Sequence, residues 1–128
     1  MSQGVDPEGS SGEDTRPQPD EMAKTVYRTR RDLTAPVGNQ IEVTVDREPI
    51  DYRYDLLSAS PSGFEWGYGG SGPAQLSVAL LAHALDDGVA LSFYQQFKRE
   101  VVSQLPEAGW KLSAEDIRRW HAEVTVDA

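Results

Sequence analysis

The spacing of apolar and polar positions changes period along the chain, and the changes mark the elements. Residues 40–46, QIEVTVD, alternate at period two, with Ile41, Val43 and Val45 on one face and Glu42 and Thr44 on the other. That alternation predicts a half-buried strand. Residues 24–30, KTVYRTR, have the β-branched and aromatic content of a second strand. RDLTAPVGN lies between them, with Pro36 and a Gly38-Asn39 turn signal, so the two strands are expected to pair as a hairpin. Asp46-Arg47-Glu48-Pro49 turns the chain again. IDYRYDLL, residues 50–57, fits either a short strand or an irregular arm, and SASPSG after it reads as a loop.

FEWGY, residues 64–68, places Phe64, Trp66 and Tyr68 on one side at period two, with Glu65 and Gly67 on the other. Beyond the glycines the period becomes helical. In PAQLSVALLAHAL, Leu76, Leu80 and His83 form one face and Val78, Leu81 and Leu85 another, with Ser77, Ala79, Ala82 and Ala84 between them. A helix apolar on two sides is covered on both, which predicts a central helix. Asp86-Asp87-Gly88 is expected to close it. A second helix, Val89 to Leu105, has one stripe of Ala90, Tyr94, Phe97, Val101 and Leu105, and Pro106 stops it. Gly109 to Leu112 fits a short strand. Ser113 then opens a third helix as N-cap, with Asp116 at N3, Leu112 and Ile117 as a hydrophobic staple, and Ile117, Trp120 and Val124 facing inward. The expected fold class is therefore α+β: a small N-terminal antiparallel sheet or hairpin followed by three helices, the first central and buried. Residues 1–22 have no aromatic side chain and carry Asp6, Glu8, Glu13, Asp14, Asp20 and Glu21 against Arg16 alone. They read as a disordered acidic tail, which leaves residues 23–128 as a single domain.

Charge narrows the classes of partner. The chain has 21 acidic and 12 basic residues, a formal net charge of −9. Lys24, Lys98 and Lys111 are its only lysines, beside nine arginines, and it has no cysteine. This composition reads as halophilic, because a carboxylate-rich surface keeps a protein soluble in concentrated salt; an ordinary acidic protein is the alternative. Nucleic acid is disfavoured as a partner, since neutralising phosphates takes a basic footprint. No stretch approaches the ~20 apolar residues of a membrane span, and no signal peptide is visible. A reduced cytoplasmic setting is expected. The lack of cysteine removes disulfides, thiolate nucleophiles and cysteine-zinc sites together.

The candidate chemistry centres on Gly67-Tyr68-Gly69-Gly70-Ser71-Gly72, which matches G-x-G-x-x-G. A dinucleotide fingerprint would continue through its helix into a parallel strand ending in an acidic residue, but here a second helix follows. G-K-[ST] is also absent. The plainer reading is a helix start, with Pro73 at N1, Gly72 or Ser71 as N-cap, and Gln75 reaching back to the cap N–H. Gly69 and Gly70 would then supply positive φ or close backbone approach. The alternative is an anion or small-ligand site at the helix N-terminus. Its candidate residues are Glu65, Trp66, Tyr68, Gly69, Gly70, Ser71, Gly72, Gln75 and His83. Trp66 and Tyr68 would stack a ligand or anchor a partner, or else simply cover the helix. Glu65 would be an acid or base if its aromatic neighbours bury it; otherwise it faces solvent or pairs with Arg30 or Arg53.

His83 reads as a hydrogen-bonded core or rim histidine, against a catalytic base, and His121 as exposed. Neither histidine has a second ligand at i+3 or i+4, so no metal site and no cofactor are expected. The clusters Arg28, Arg30, Arg31 and Arg118, Arg119 read as solvated faces beside Asp32, Glu115 and Glu123.

SPSGFEWGYGGSGPAQL, continuing into VALLAHAL, resembles the core of a family of domains of unknown function, number 6166. The resemblance extends back to VTVDREPI and forward through FYQQFKREVVSQLP and GWKLSAEDI, covering roughly residues 25–120, with the acidic tail outside it. It implies a compact stand-alone domain of haloarchaeal type, often carried by mobile elements, and brings no catalytic residue with it. Two functions are open at this point. The first is a non-enzymatic interaction or accessory protein with a protein partner or a second copy of itself. The other is a ligand or anion binder at residues 68–75, with Glu65 and His83 as the acid–base pair of an undescribed enzyme.

Overall fold

A computed structural model describes residues 16–31, 34, 41–60 and 63–126. Strands β1 (Val26–Arg31), β2 (Ile41–Val45), β3 (Glu48–Pro49) and β4 (Lys111–Ser113) form one sheet in the order β3-β2-β1-β4, with every pairing antiparallel. Tyr27 lies opposite Val45 on one side and Leu112 on the other, and Thr29 lies opposite Val43. The inward face is thus built from the alternate positions that the periodicity marks: Tyr27 and Val43 are fully buried, and Val45 and Leu112 pack against the core. Apart from Thr34, the connection between β1 and β2 lies outside the described residues. A two-residue turn joins β2 to β3. Its residues Asp46 and Arg47 both have left-handed φ, 53° and 70°, as a type I′ hairpin turn requires. The sheet is not purely N-terminal, because β4 arrives from between the second and third helices to pair with β1.

Helix α1 (Ser71–Ala84) is central, as its two-sided apolar pattern demands. From Gly72 to Ala84 every residue is buried except His83, which is half-buried. The Tyr27 side of the sheet meets it through His83, and α2 (Asp87–Glu100) packs against it. Only Leu85 and Asp86 separate the two helices. Asp86 Oδ1 accepts from the backbone N–H of Val89 at 2.8 Å. Asp86 and Asp87, expected to close α1, therefore open α2: an aspartate satisfies a first-turn N–H and favours the positive end of the helix dipole. Helix α2 buries Ala90 and Phe97 along the expected stripe, and the chain then tightens into a 3-10 turn at Val102–Gln104 instead of continuing to Leu105.

Helix α3 (Ala114–Val126) starts where its cap signals place it. The Asp116 N–H donates to Ser113 Oγ at 2.9 Å, and the Ser113 N–H donates to Asp116 Oδ2 at 3.0 Å. Trp120 sets its ring edge-on to Phe97, and its indole N–H donates to Glu100. His121 is not simply exposed: it is half-buried, with its ring 4.8 Å from that of Phe93. Arg118 and Arg119 pair with Glu115, as the reading of a solvated charged face anticipates.

Two stretches depart from their expected regularity. Residues 50–57 are an irregular arm with a turn at Tyr54–Leu56 and no strand. FEWGY keeps its period only at Phe64 and Trp66, which are buried; Gly67 at φ +86° breaks the alternation and leaves Tyr68 53% exposed. Of the segment assigned to the tail on composition, residues 16–22 are described: Pro19–Glu21 form a 3-10 turn and Met22 joins the core.

Candidate functional site

The glycine loop meets α1 two residues earlier than expected. Gly70 is the N-cap and Pro73 the third helical residue, where its missing N–H still costs nothing because first-turn N–H groups lack intrahelical partners. Gln75 does not reach back to the cap. It is fully buried, and its amide makes four bonds to the arm and the loop after it. Nε2 donates to the carbonyls of Tyr52 (2.8 Å) and Leu57 (2.7 Å), and Oε1 accepts from the N–H groups of Ala59 (2.8 Å) and Ser60 (3.2 Å).

The other loop candidates differ in their surroundings. A Cβ on Gly72 would lie 2.7 Å from Glu65 Cβ, and one on Gly70 would lie 2.5 Å from the Tyr68 ring, whereas one on Gly69 would meet nothing within 4 Å. Ser71 is exposed as the first residue of α1. Trp66 is a core residue: its indole N–H donates to the Pro106 carbonyl at 2.9 Å, and its ring stands edge-on to Trp110. Glu65 is half-buried and accepts from the Trp66 N–H at 3.3 Å. Arg53, proposed above as its partner, is bound to Asp55 and Asp87 instead.

His83 does not join this group. It follows Gly72 by eleven residues, which at ~1.5 Å per residue puts it about 16 Å away at the other end of α1. Glu65 and His83 are therefore not brought together as a pair.

His83 belongs to a cleft of about 1300 Å³. Its floor is Val45 of β2, Ile50 of the arm, and Ala79 and Ala82 of α1. The β2–β3 turn, the 16–25 segment and the α1–α2 junction form its walls. Of the lining residues, His83 is bonded to a fully buried tyrosine: Tyr27 Oη lies 2.7 Å from His83 Nδ1, with the two rings perpendicular. Burial pushes the Tyr27 phenol well above its ordinary pKa, so it keeps its proton. A neutral imidazole that accepts this hydrogen bond at Nδ1 carries its own hydrogen on Nε2. Replacing Tyr27 with phenylalanine removes this bond but little packing. The expected result is a loss of about 1 kcal/mol in urea denaturation.

Carboxylates dominate the rim of the cleft: Glu21, Asp46, Glu48, Asp51, Asp86 and Asp87 against Arg16, Lys24 and Arg53. Asp86 is engaged in capping and Asp87 in binding Arg53, while Asp46 and Glu48 have no side-chain partner among the described residues. Among those residues, no group of three or more His, Asp or Glu side chains could hold a metal ion, and no helix is long and apolar enough to cross a membrane.

The sequence motifs pointed to the N-terminal end of α1, while this cleft lies toward its C-terminal end. His83, which lines it, and the buried Tyr27 that His83 bonds are separated by 56 residues and leave no local signature. In comparisons with known proteins, the profile of a family of unknown function, DUF6166, matches residues 27–123. No curated protein and no solved structure matches the chain.

Proposed function

The chain belongs to the DUF6166 family of unknown function; we propose that it is a non-enzymatic interaction module whose cleft takes up a cationic segment of a protein partner. The observation that carries this reading is a concave site with an apolar floor and a surplus of carboxylates at its rim. Lysine and arginine side chains suit such a site, because an apolar stem covers the floor while the charged head reaches the rim.

The test is fluorescence anisotropy with dye-labelled hexa-arginine, at low and at molar salt. Asp46→Asn with Glu48→Gln removes two rim charges and is expected to weaken binding about five-fold. Glu107→Gln with Glu123→Gln makes the same change in net charge away from the cleft and should leave affinity within about two-fold. Equal losses from the two pairs would show attraction to the whole acidic surface and overturn the cleft.

A further inference from the structure

We propose that Arg53 determines the specificity of this cleft by occupying its edge as a built-in cation that an incoming guanidinium must displace. The inference rests on the cleft reading above and concerns control of that same site. Arg53 has φ +59°, a left-handed conformation that side-chain-bearing residues other than Asn and Asp seldom adopt. A residue held there is over-determined by its surroundings, and such positions cluster at ligand clamps and switches. Its backbone is held by the Arg53 N–H donating to Asp51 Oδ1 at 2.6 Å and by its carbonyl accepting from Leu56 and Leu57, and its side chain makes a double fork. Nη1 and Nη2 reach the two carboxylate oxygens of Asp87 at 3.1 and 2.9 Å, and Nε and Nη2 reach those of Asp55 at 3.0 and 3.0 Å. The guanidinium therefore spans from the arm to the first turn of α2 at the cleft edge.

Exposure is unequal across this contact. The Arg53 side chain is 26% exposed, against 64% for Asp55 and 53% for Asp87, so a second cation can approach the carboxylates from solvent. Asp87 is the first residue of α2, so its position is set by that helix and not by Arg53.

The arm does not depend on this contact for its position. Its backbone is anchored from inside by the four bonds to Gln75, and the Arg53 carbonyl accepts from the N–H groups of Leu56 and Leu57. Releasing the guanidinium therefore opens the carboxylate pair without detaching the arm. A guanidinium can replace Arg53 fork for fork, whereas an ammonium is a point charge without that geometry, so the gate favours arginine over lysine.

The experiment titrates dye-labelled hexa-arginine and hexa-lysine into wild type, Arg53→Gln, Arg53→Lys and the double variant Arg53→Gln/Asp87→Asn. Arg119→Gln serves as a control, changing charge equally at a residue paired with Glu115 outside the cleft. Arg53→Gln is expected to bind hexa-arginine about three- to five-fold tighter than wild type, with a smaller gain for hexa-lysine. The double variant should lose that gain, and Arg119→Gln should stay within about two-fold. Arg53→Lys keeps the charge and loses the fork, so it should also bind hexa-arginine more tightly; it carries the test if Arg53→Gln does not fold.

If hexa-arginine binds through Asp46 and Glu48 but with the same affinity with and without Arg53, the gate is wrong and the cleft stands. An equal gain in Arg119→Gln also overturns the gate. No binding by any folded form overturns both.

Discussion

Replacing Gln75 with leucine is expected to remove about 3 to 5 kcal/mol of folding stability, a large share of the ~5–15 kcal/mol that holds a typical domain together. The side chain is fully buried, and its amide satisfies two backbone carbonyls and two backbone N–H groups at once. Leucine fills nearly the same volume, so packing is largely kept. What is lost is the partner of four main-chain groups, at ~1–3 kcal/mol for each that stays buried and unpaired; the total is held down because the arm can shift and admit water.

Gln75→Glu separates the two halves of the clamp. A carboxylate still accepts from Ala59 and Ser60 but turns an oxygen toward the carbonyls of Tyr52 and Leu57. Protonation restores one donor, so the glutamate has a folded pKa raised above its ordinary ~4.3. For a group shifted in that direction, stability is present below the unfolded pKa and is lost as pH rises toward the folded one. Urea denaturation should therefore find this variant less destabilised in acid than at neutral pH. A leucine variant within about 1 kcal/mol of wild type would show that the arm does not depend on its clamp.

Gln75 also shows where sequence reasoning stops. Its spacing from the glycines fits a capping box, and a local rule can see only local partners. Its real partners precede it by 15 to 23 residues, in a stretch whose own pattern fits either a strand or an irregular arm. The same holds for Arg53 and Asp87, 34 residues apart, and for β4, three residues long, which pairs with a strand at the other end of the domain. None of these contacts has a period.

Where a signal is local and periodic, the chain is legible. The two-sided apolar pattern of α1, the alternation of β2, and the Ser113–Asp116 cap all appear in the structure. The cleft was invisible for a further reason. Its rim residues look like ordinary solvated charges until the sheet, the arm and the α1–α2 junction make them line one concavity. The glycine motif was conspicuous by contrast, and two of its glycines have a structural reason: Gly67 has φ +86°, and Gly72 lies against Glu65.

Gly72 is the clearest case, because two local arguments disagree about it. It is the second residue of α1, and alanine is better than glycine inside a helix by about 1 kcal/mol. Propensity alone thus predicts that Gly72→Ala stabilises the protein. Packing predicts the opposite. The new methyl would sit 2.7 Å from Glu65 Cβ and 3.1 Å from the Glu65 backbone nitrogen. Neither atom can rotate away, so the first turn of α1 must lift off the 63–66 segment and disturb the seating of Phe64 and Trp66. Overpacking of this kind costs about 1 to 3 kcal/mol before relaxation, and the expected outcome is a net loss of about 1 to 2 kcal/mol, seen as a lower melting temperature.

Gly70→Ala is the matched comparison. Its methyl meets the ring of exposed Tyr68, which can swing into solvent, so its melting temperature should stay near that of wild type. If both variants melt like wild type, the Glu65 segment yields readily and close packing does not explain the glycine at position 72. If Gly72→Ala alone falls, that glycine is required by the join between a chain segment and the central helix.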